Sequence, residues 1–310
     1  MRAFYYDHLP GNLPEGHRFP AAKYRLLRER IQHSGVIVPD CLLPAPEGTD
    51  AQIARAHDAD YIRRFESGQL TAAEIRRIGL PWSLELVRRV RHMVGGTIAA
   101  ARTALQDSAG VNLGGGTHHA YRDHGEGYCL YNDVAIAVRA MQAEGRIRRA
   151  LVIDCDVHQG NGTAQIVAGD ETVFTFSIHG ANNFPFRKFP SDLDVGLPDG
   201  TGDEAYLEAL AGALKVAFPT ARPDLVFYLA GADPFVGDRL GRLALTKDGL
   251  VARDRLVFGR CRVAGTPFVV LLAGGYGRDM RDTVDIYHNT VALAAVAVGE
   301  SAGAVTNNTG

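Results

Sequence analysis

Residues 151–165, LVIDCDVHQGNGTAQ, run from a buried strand straight into ionisable side chains. Leu151, Val152 and Ile153 are apolar without alternation, which reads as a strand covered on both faces. Asp154, Asp156 and His158 follow at once, and then Gly160, Asn161 and Gly162. Strands covered on both faces belong to parallel α/β sheets, whose ligands bind outside the carboxyl ends of the strands. The stretch therefore predicts a sheet type and a place for chemistry together.

The rest of the chain follows the same rule. Short apolar runs recur at GVNLGG, TVFTFSIH, DLVFYLAGAD and PFVVLLAGGY, and RAFYY suggests a further strand near the start. Between them lie helical stretches: YNDVAIAVRAMQAEG, NGTAQIVAG, GDEAYLEALAGALKVAF and KDGLVARDRLVFGRCRVAG. Upstream, FPAAKYRLLRERIQHSG has Tyr24, Leu27 and Ile31 at helical spacing and Gly35 as a stop. AQIARAHDADYIRRFESG reads as one helix, and PWSLELVRRVRHMVGGTIAAARTALQDSAG as a long one opened by Pro81. TVALAAVAVG reads as a buried terminal helix. The expectation is a single α/β domain over 1–310, with a mostly parallel central sheet and helices on both faces.

Composition narrows the function. Of 310 residues, 46% are hydrophobic and 22% charged, as in ordinary globular proteins, and the net charge of −2 gives no field for nucleic acid or anionic membrane. The start, MRAFYYDHLPGNLPEGHRF, lacks the apolar core of a signal peptide. No run is long enough to span a bilayer. The four cysteines are dispersed without a CxxC pair, which fits a reduced cytoplasm and argues against a disulfide framework.

Four strand candidates end in polar groups. One leads through Gly114-Gly115-Gly116 to Thr117-His118-His119, one to Asp154, Asp156 and His158, one to Asp233, and one through Gly274-Gly275 to Tyr276. Singly, an acid at a strand end is often a helix cap and a glycine run a tight turn. Arriving together on one rim, they point to a site. Asp156 and His158, two residues apart on extended backbone, face the same side, and Asp233 completes two carboxylates and an imidazole. That set suits zinc with an open position, and other divalent ions tolerate it. His118 and His119 could handle a proton, with Asp154 and Asn161 available as orienting partners. Tyr276 could donate to an oxyanion. These parts describe metal-assisted hydrolysis of an amide.

The motifs that carry this chemistry resemble the zinc-dependent histone deacetylase family and its acetylpolyamine and acetoin-utilisation relatives. GGGTHHAYRDHGEGYCLYNDVAIA, VIDCDVHQGNGTAQ, GADPFVGDRLGRLALT and LLAGGYGRD match in order and spacing, and the similarity runs from EGHRFPAAKYRLL to the last helix. DVHQGNG and GLVARDRLVF look most like the class IV branch and its bacterial relatives. The resemblance implies an arginase/deacetylase fold and zinc on Asp156, His158 and Asp233. It implies catalytic roles for His118, His119 and Tyr276, with Asp154 behind His118 and Asn161 behind His119. Because an amide cannot stabilise an imidazolium as a carboxylate can, His119 is the expected neutral base. Gly127 and Tyr128 match the Gly-aromatic pair of an acyl-lysine tunnel, Phe186 or Phe184 its opposite wall, and Gly275 lies beside the substrate. A structural potassium ion would involve Asp154, Asp156, His158, Ser177 and Ile178. The implied substrates are an acylated lysine peptide or an acylated small amine such as an acetylpolyamine, and the oligomeric state stays open. An arginase-like dinuclear reading lacks acids for a second metal, since Gly160 stands two residues after His158. A silent acyl-lysine binding protein would not need every catalytic position filled.

Overall fold

The computed structural model describes residues 1–9, 13–14 and 16–306, with side chains to residue 299. Eight strands form one sheet: β1 (Arg2–Tyr5), β2 (Leu42–Pro44), β3 (Ala109–Asn112), β4 (Ala150–Asp154), β5 (Val173–Gly180), β6 (Leu193–Leu197), β7 (Leu225–Leu229) and β8 (Phe268–Leu271). Their order is β2-β1-β3-β8-β7-β4-β5-β6, and every pairing is parallel. The parallel sheet with helices on both faces is as expected. The six strands read from apolar runs are present. The two missed strands, β2 and β6, are the sheet's edges. β2 has three residues ending in Pro44, and β6 carries Asp194 and Gly196, so neither shows a continuous apolar run.

Alternation along β4 divides the core. Leu151 and Ile153 pack with Leu210, Leu214 and Val257 from the helices Asp203–Ala221 and Lys247–Ala264. Ala150 and Val152 point the other way, to Val94, Ile98 and Ile136 from the helices Leu84–Asp107 and Asp133–Ala143. Each face buries several large aliphatic side chains, at about 1.5–3 kcal/mol per side chain.

The helices differ from the sequence reading at several places: Ala72–Ile78 is an additional helix, and the terminal helix runs Met280–Thr306 and is only partly buried over 291–299. The segment read as one helix over AQIARAHDADYIRRFESG is two, Asp50–Ile53 and Ala59–Glu66. His57 interrupts it because its ring is buried, with Nε2 accepting from the Asn132 N–H at 2.8 Å and Nδ1 facing the Arg122 carbonyl at 3.3 Å. The helix Leu84–Asp107 is opened by Ser83, whose hydroxyl accepts from Leu86 N–H at 3.0 Å, and not by Pro81. At the other end of the first long helix, Ala22–Ser34, Gly35 does stop it, with φ +68. No helix among the described residues is long and apolar enough to cross a membrane.

The strand order explains why one site can form. β3, β8, β7, β4 and β5 are successive neighbours, although β3 and β8 are far apart in sequence. Their carboxyl ends bring Thr117-His118-His119, Tyr276, Asp233, Asp154-Asp156-His158 and Ser177 to one edge.

Candidate metal centre and active site

Asp156, His158 and Asp233 are buried, and their ligand atoms all lie within 4.8 Å of one another. His158 Nδ1 stands 2.9 Å from Asp156 Oδ1 and 3.3 Å from Asp233 Oδ2. Backbone donors hold both acids in place. Gly274 N–H donates to Asp156 Oδ2 at 2.7 Å, His158 N–H to Asp156 Oδ1 at 2.9 Å, and Val157 N–H to Asp233 Oδ1 at 2.9 Å. The remaining oxygen, Asp233 Oδ2, is buried with only His158 Nδ1 near it, outside good hydrogen-bond geometry. Such an oxygen is costly unless a cation meets it. Burial, and then Asp156, push Asp233 up from the ordinary carboxylate range. Burial opposes a charge on His158, yet the two acids outweigh it and hold the ring up at about 10. Two carboxylates so placed require positive charge at Nδ1, and a divalent ion competes with the proton for that lone pair. The donor set fits such an ion. Among the described residues this is the one cluster of that kind.

The paired histidines have opposite environments. His118 Nδ1 contacts Asp154 Oδ2 and His119 Nδ1 contacts Asn161 Oδ1, each at 2.6 Å. An ionised carboxylate or an amide oxygen only accepts, so both rings carry the proton on Nδ1 and turn Nε2 away. Burial lowers His118, but Asp154 and then Asp156 outweigh it and hold it up at about 9. Burial lowers His119 too, and here His118 and His158 add to the effect, so it lies well below the usual imidazole value. One ring is held charged and its neighbour, 4.1 Å away between centroids, is held neutral.

Tyr276 closes the site from β8. Burial, followed by Asp233 and Asp156, holds its phenol well above 10, so it remains a donor. Its backbone N–H donates to Asp238 Oδ2 at 2.6 Å. Tyr128 packs beside it with ring centroids 5.9 Å apart. Gly127 has φ +55, and a Cβ there would lie 2.8 Å from His119 Cδ2 and 3.1 Å from Phe184 Cε1. Both a turn and a close approach therefore require glycine. Tyr276, Tyr128 and Gly127 border one cavity with His118, His119 and His158, also lined by Phe19, Leu86 and Met93.

The structure corrects one site expectation, Gly275, and separates the two phenylalanines left open. Phe184 is the phenylalanine beside the histidines: its ring is 4.9 Å from His119 and 6.4 Å from His158. Phe186 is 85% exposed and touches Phe184 edge-on at 6.3 Å, which places it at the mouth. Gly275 is turned away from the cavity; its carbonyl accepts from Lys23 Nζ at 3.0 Å, and Gly274 lines the wall instead. The five residues expected around a monovalent cation lie on β4, β5 and the turn after β4. Asp154 and Ser177 are cross-strand partners, and all five are buried.

Several supporting residues gave no sequence signal as site residues. Asp133 accepts from Gly116 N–H at 3.0 Å, Thr117 N–H at 2.8 Å and Thr97 Oγ1 at 2.6 Å, fixing the loop that carries His118. Buried Lys23 lies 5.1 Å from the Tyr276 ring centroid. Fully buried Arg253 donates to the Gly231 carbonyl at 2.5 Å and reaches the Cys155 carbonyl at 3.5 Å. Those peptides lead into Asp233 and Asp156. Asp254 answers the charge: its Oδ1 accepts from Arg253 Nε at 2.9 Å and Tyr228 Oη at 2.5 Å.

A parallel α/β sheet that gathers a possible metal-binding triad and a histidine pair at its strand ends is the frame of a hydrolase. A family model for the histone deacetylase domain matches residues 17–292, and the chain belongs to the histone deacetylase family. An uncharacterized protein of Picosynechococcus sp. is 47% identical over 272 residues, covering 88% of this chain and 91% of its own length. Histone deacetylase 2 of Arabidopsis thaliana is 31% identical over 270 residues, covering 84% and 70%. The crystal structure of the HDA15 HD domain superposes with a TM-score of 0.80 at 24% identity, covering 97% of this chain and 92% of that one; this likeness shows the fold.

Proposed function

We propose that this protein is a zinc-dependent deacylase that removes acetyl or longer acyl groups from acyl-lysine or a related acylated amine. The observation that carries the reading is the buried triad Asp156, His158 and Asp233 set against two histidines with opposed protonation preferences. A metal held by the triad would polarise the scissile carbonyl and acidify water. The chain's own residues do the rest. His119, neutral and oriented by Asn161, takes the proton of the attacking water at Nε2. His118, kept cationic by Asp154, stabilises negative charge and returns a proton to the leaving nitrogen. Tyr276 donates its phenol hydrogen to the carbonyl oxygen as charge develops there. Tyr128 and Phe184 flank the acyl-lysine side chain, and Gly127 leaves the passage open. A potassium ion on Asp154, Asp156, His158, Ser177 and Ile178 belongs to the same reading, since it would add positive charge beside the buried Asp154 and Asp156. We also take residues 1–310 as one catalytic domain, which the continuous sheet supports, and place it in the cytoplasm on its four free, dispersed cysteines.

The test joins metal analysis to acetate release. The purified protein should hold about one zinc ion per chain and release acetate from an acetyl-lysine amide. Asp233→Ala should lose both metal and turnover. Zinc retained at native affinity by that variant would remove the assignment.

A further inference from the structure

The mouth of the cavity carries charge that the chain as a whole does not. Net charge is −2, yet the outer opening, between Tyr128, Phe184 and Tyr276, is lined by Arg76, Arg77 and Arg242 and by no carboxylate. The adjoining depression against Phe184 and Asn161 adds Arg187 and Lys188, with Glu126 as its one acid. Arg76, Arg77, Arg187 and Arg242 are exposed. Arg242 Nη1 meets Asp199 at 3.3 Å; among the described residues Arg76, Arg77 and Arg187 have no carboxylate at ion-pair distance. Lys188 donates to the carbonyls of Asn183 and Pro185, each at 2.6 Å, which orients the ammonium without neutralising it.

These cations sit on fixed backbone. The Arg77 and Ile78 carbonyls accept from the N–H groups of Gly127 and Tyr128 at 3.2 and 2.7 Å, so the end of the helix Ala72–Ile78 is joined to the tunnel wall. Across the opening, Asn183 donates to the Leu240 carbonyl at 2.8 Å and accepts from Arg242 N–H at 3.1 Å. Arginines fixed on both sides of a narrow entrance present forks suited to carboxylates.

We propose that this rim selects acyl-lysines flanked by acidic residues and disfavours acylated polyamines. The inference rests on the deacylase reading and names its substrate class. A lysine side chain that fills the tunnel leaves its peptide lying across the mouth, where the neighbouring side chains meet Arg76, Arg77 and Arg242. Carboxylates there are attracted. The ammonium groups of a polyamine, extending outward from its acylated nitrogen, meet like charge.

The experiment compares acetyl-lysine peptides identical except for acidic, neutral or basic flanks, an acetylated polyamine, and a small uncharged acetyl-lysine amide, all on the zinc-loaded enzyme. Exposed pairs each contribute about 1.5- to 5-fold, so two or three give acidic flanks a preference in kcat/KM over neutral ones of about 2- to 100-fold at low salt, with basic flanks below neutral. The preference should shrink severalfold at about 1 M salt, where screening reaches about 3 Å. In Arg76→Glu/Arg77→Glu the acidic-to-basic ratio should invert, each peptide being referred to the uncharged amide on the same preparation. Fluorescence anisotropy of the labelled acidic and basic peptides should show the same order in binding. If the uncharged amide is hydrolysed but acidic and basic peptides are processed alike, the rim proposal falls and the deacylase reading stands. If the zinc enzyme hydrolyses nothing, both fall. Inhibition by an RNA oligonucleotide stronger than by polyglutamate of equal charge would assign the patch to nucleic acid and overturn the proposal.

Discussion

Asn161→Asp places one negative charge where it decides which histidine is the base. In the native protein His119 Nδ1 donates to Asn161 Oδ1 at 2.6 Å, while burial, His118 and His158 keep the ring neutral far below its usual value. Aspartate is nearly isosteric, so the hydrogen bond survives and the charge is the main change. Tyr121 Oη, which now accepts from Asn161 Nδ2 at 2.9 Å, can rotate to donate. At a charge separation of about 4 Å and an effective dielectric of about 20, a carboxylate favours an imidazolium by about 4 kcal/mol, or about 3 pKa units. Burial of the new carboxylate returns part of that, so a rise of about 1–3 units is expected. A base acts only when unprotonated, and a raised pKa extends the protonated range to higher pH. The acid limb of kcat/KM should therefore move up by about 1–3 units, so that activity is lost at pH values where the native protein still turns over. The assay is kcat/KM for the uncharged acetyl-lysine amide across pH, at saturating zinc. Asp154→Asn is the mirror image: it removes the charge that holds His118 up at about 9, so a limb on the alkaline side should move down. An acid limb that stays in place in Asn161→Asp, in a variant with native zinc content, would refute His119 as the base.

Tyr276→Phe should keep the fold and the metal and lose about 10²–10³ in turnover, the usual cost of one oxyanion donor; near-native turnover would remove it from the mechanism. Arg253→Met should destabilise the protein by about 3–5 kcal/mol, because Asp254 becomes an uncompensated buried charge. Chemical denaturation checks this, and Arg253→Met/Asp254→Asn should recover part of the loss; a double variant as unstable as the single would point to packing instead. His57 predicts an acid-sensitive fold. Burial lowers its pKa from 6.5 to about 4, so the unfolded chain binds the proton first as pH falls. Its contribution is complete above about pH 6.5 and is lost on the way down to about pH 4, in total about 3 kcal/mol. Urea midpoints in that window should fall less steeply for His57→Gln than for the native protein, and equal slopes would exclude His57.

The strand-end residues were legible in the sequence because two constraints coincide there. A strand buried on both faces must be apolar, so LVI before Asp154 and LVFYL before Asp233 stand out, and the first polar residue after each run marks the sheet's rim. The hydrogen bonds behind His118 and His119 follow from the same stretch, since Asp154 and Asn161 bracket its turn. The edges of the sheet were not legible, for the reason that makes them edges: β6 is half solvated, and its Asp194 and Gly196 break the pattern that reveals β4. The split at His57 was hidden because helix propensity is local, while the ring's two partners, Asn132 and Arg122, are more than sixty residues away.

What the sequence concealed most is the layer that holds the site. Asp133 looks like an ordinary acid in a helix's first turn, favourable there for the dipole alone. Its use is elsewhere: two backbone N–H groups of the Gly116–Thr117 turn and two hydroxyls converge on it. Arg253 looks like one of several arginines on the helix Lys247–Ala264, yet it is buried with its guanidinium on the peptides that lead to two candidate metal ligands. Neither role has a local pattern, because the partner of each is a main-chain group on another element and any residue supplies one. The choice between Phe184 and Phe186 has the same character. Two phenylalanines separated by Pro185 are equivalent as letters. Which one meets His119 is set by how the segment is tied down, with Asn183 bound to the Leu240 carbonyl and Lys188 to the carbonyls of Asn183 and Pro185. Residues that do chemistry betray themselves by type and placement, whereas residues that aim them are recognised only through the backbone they grip.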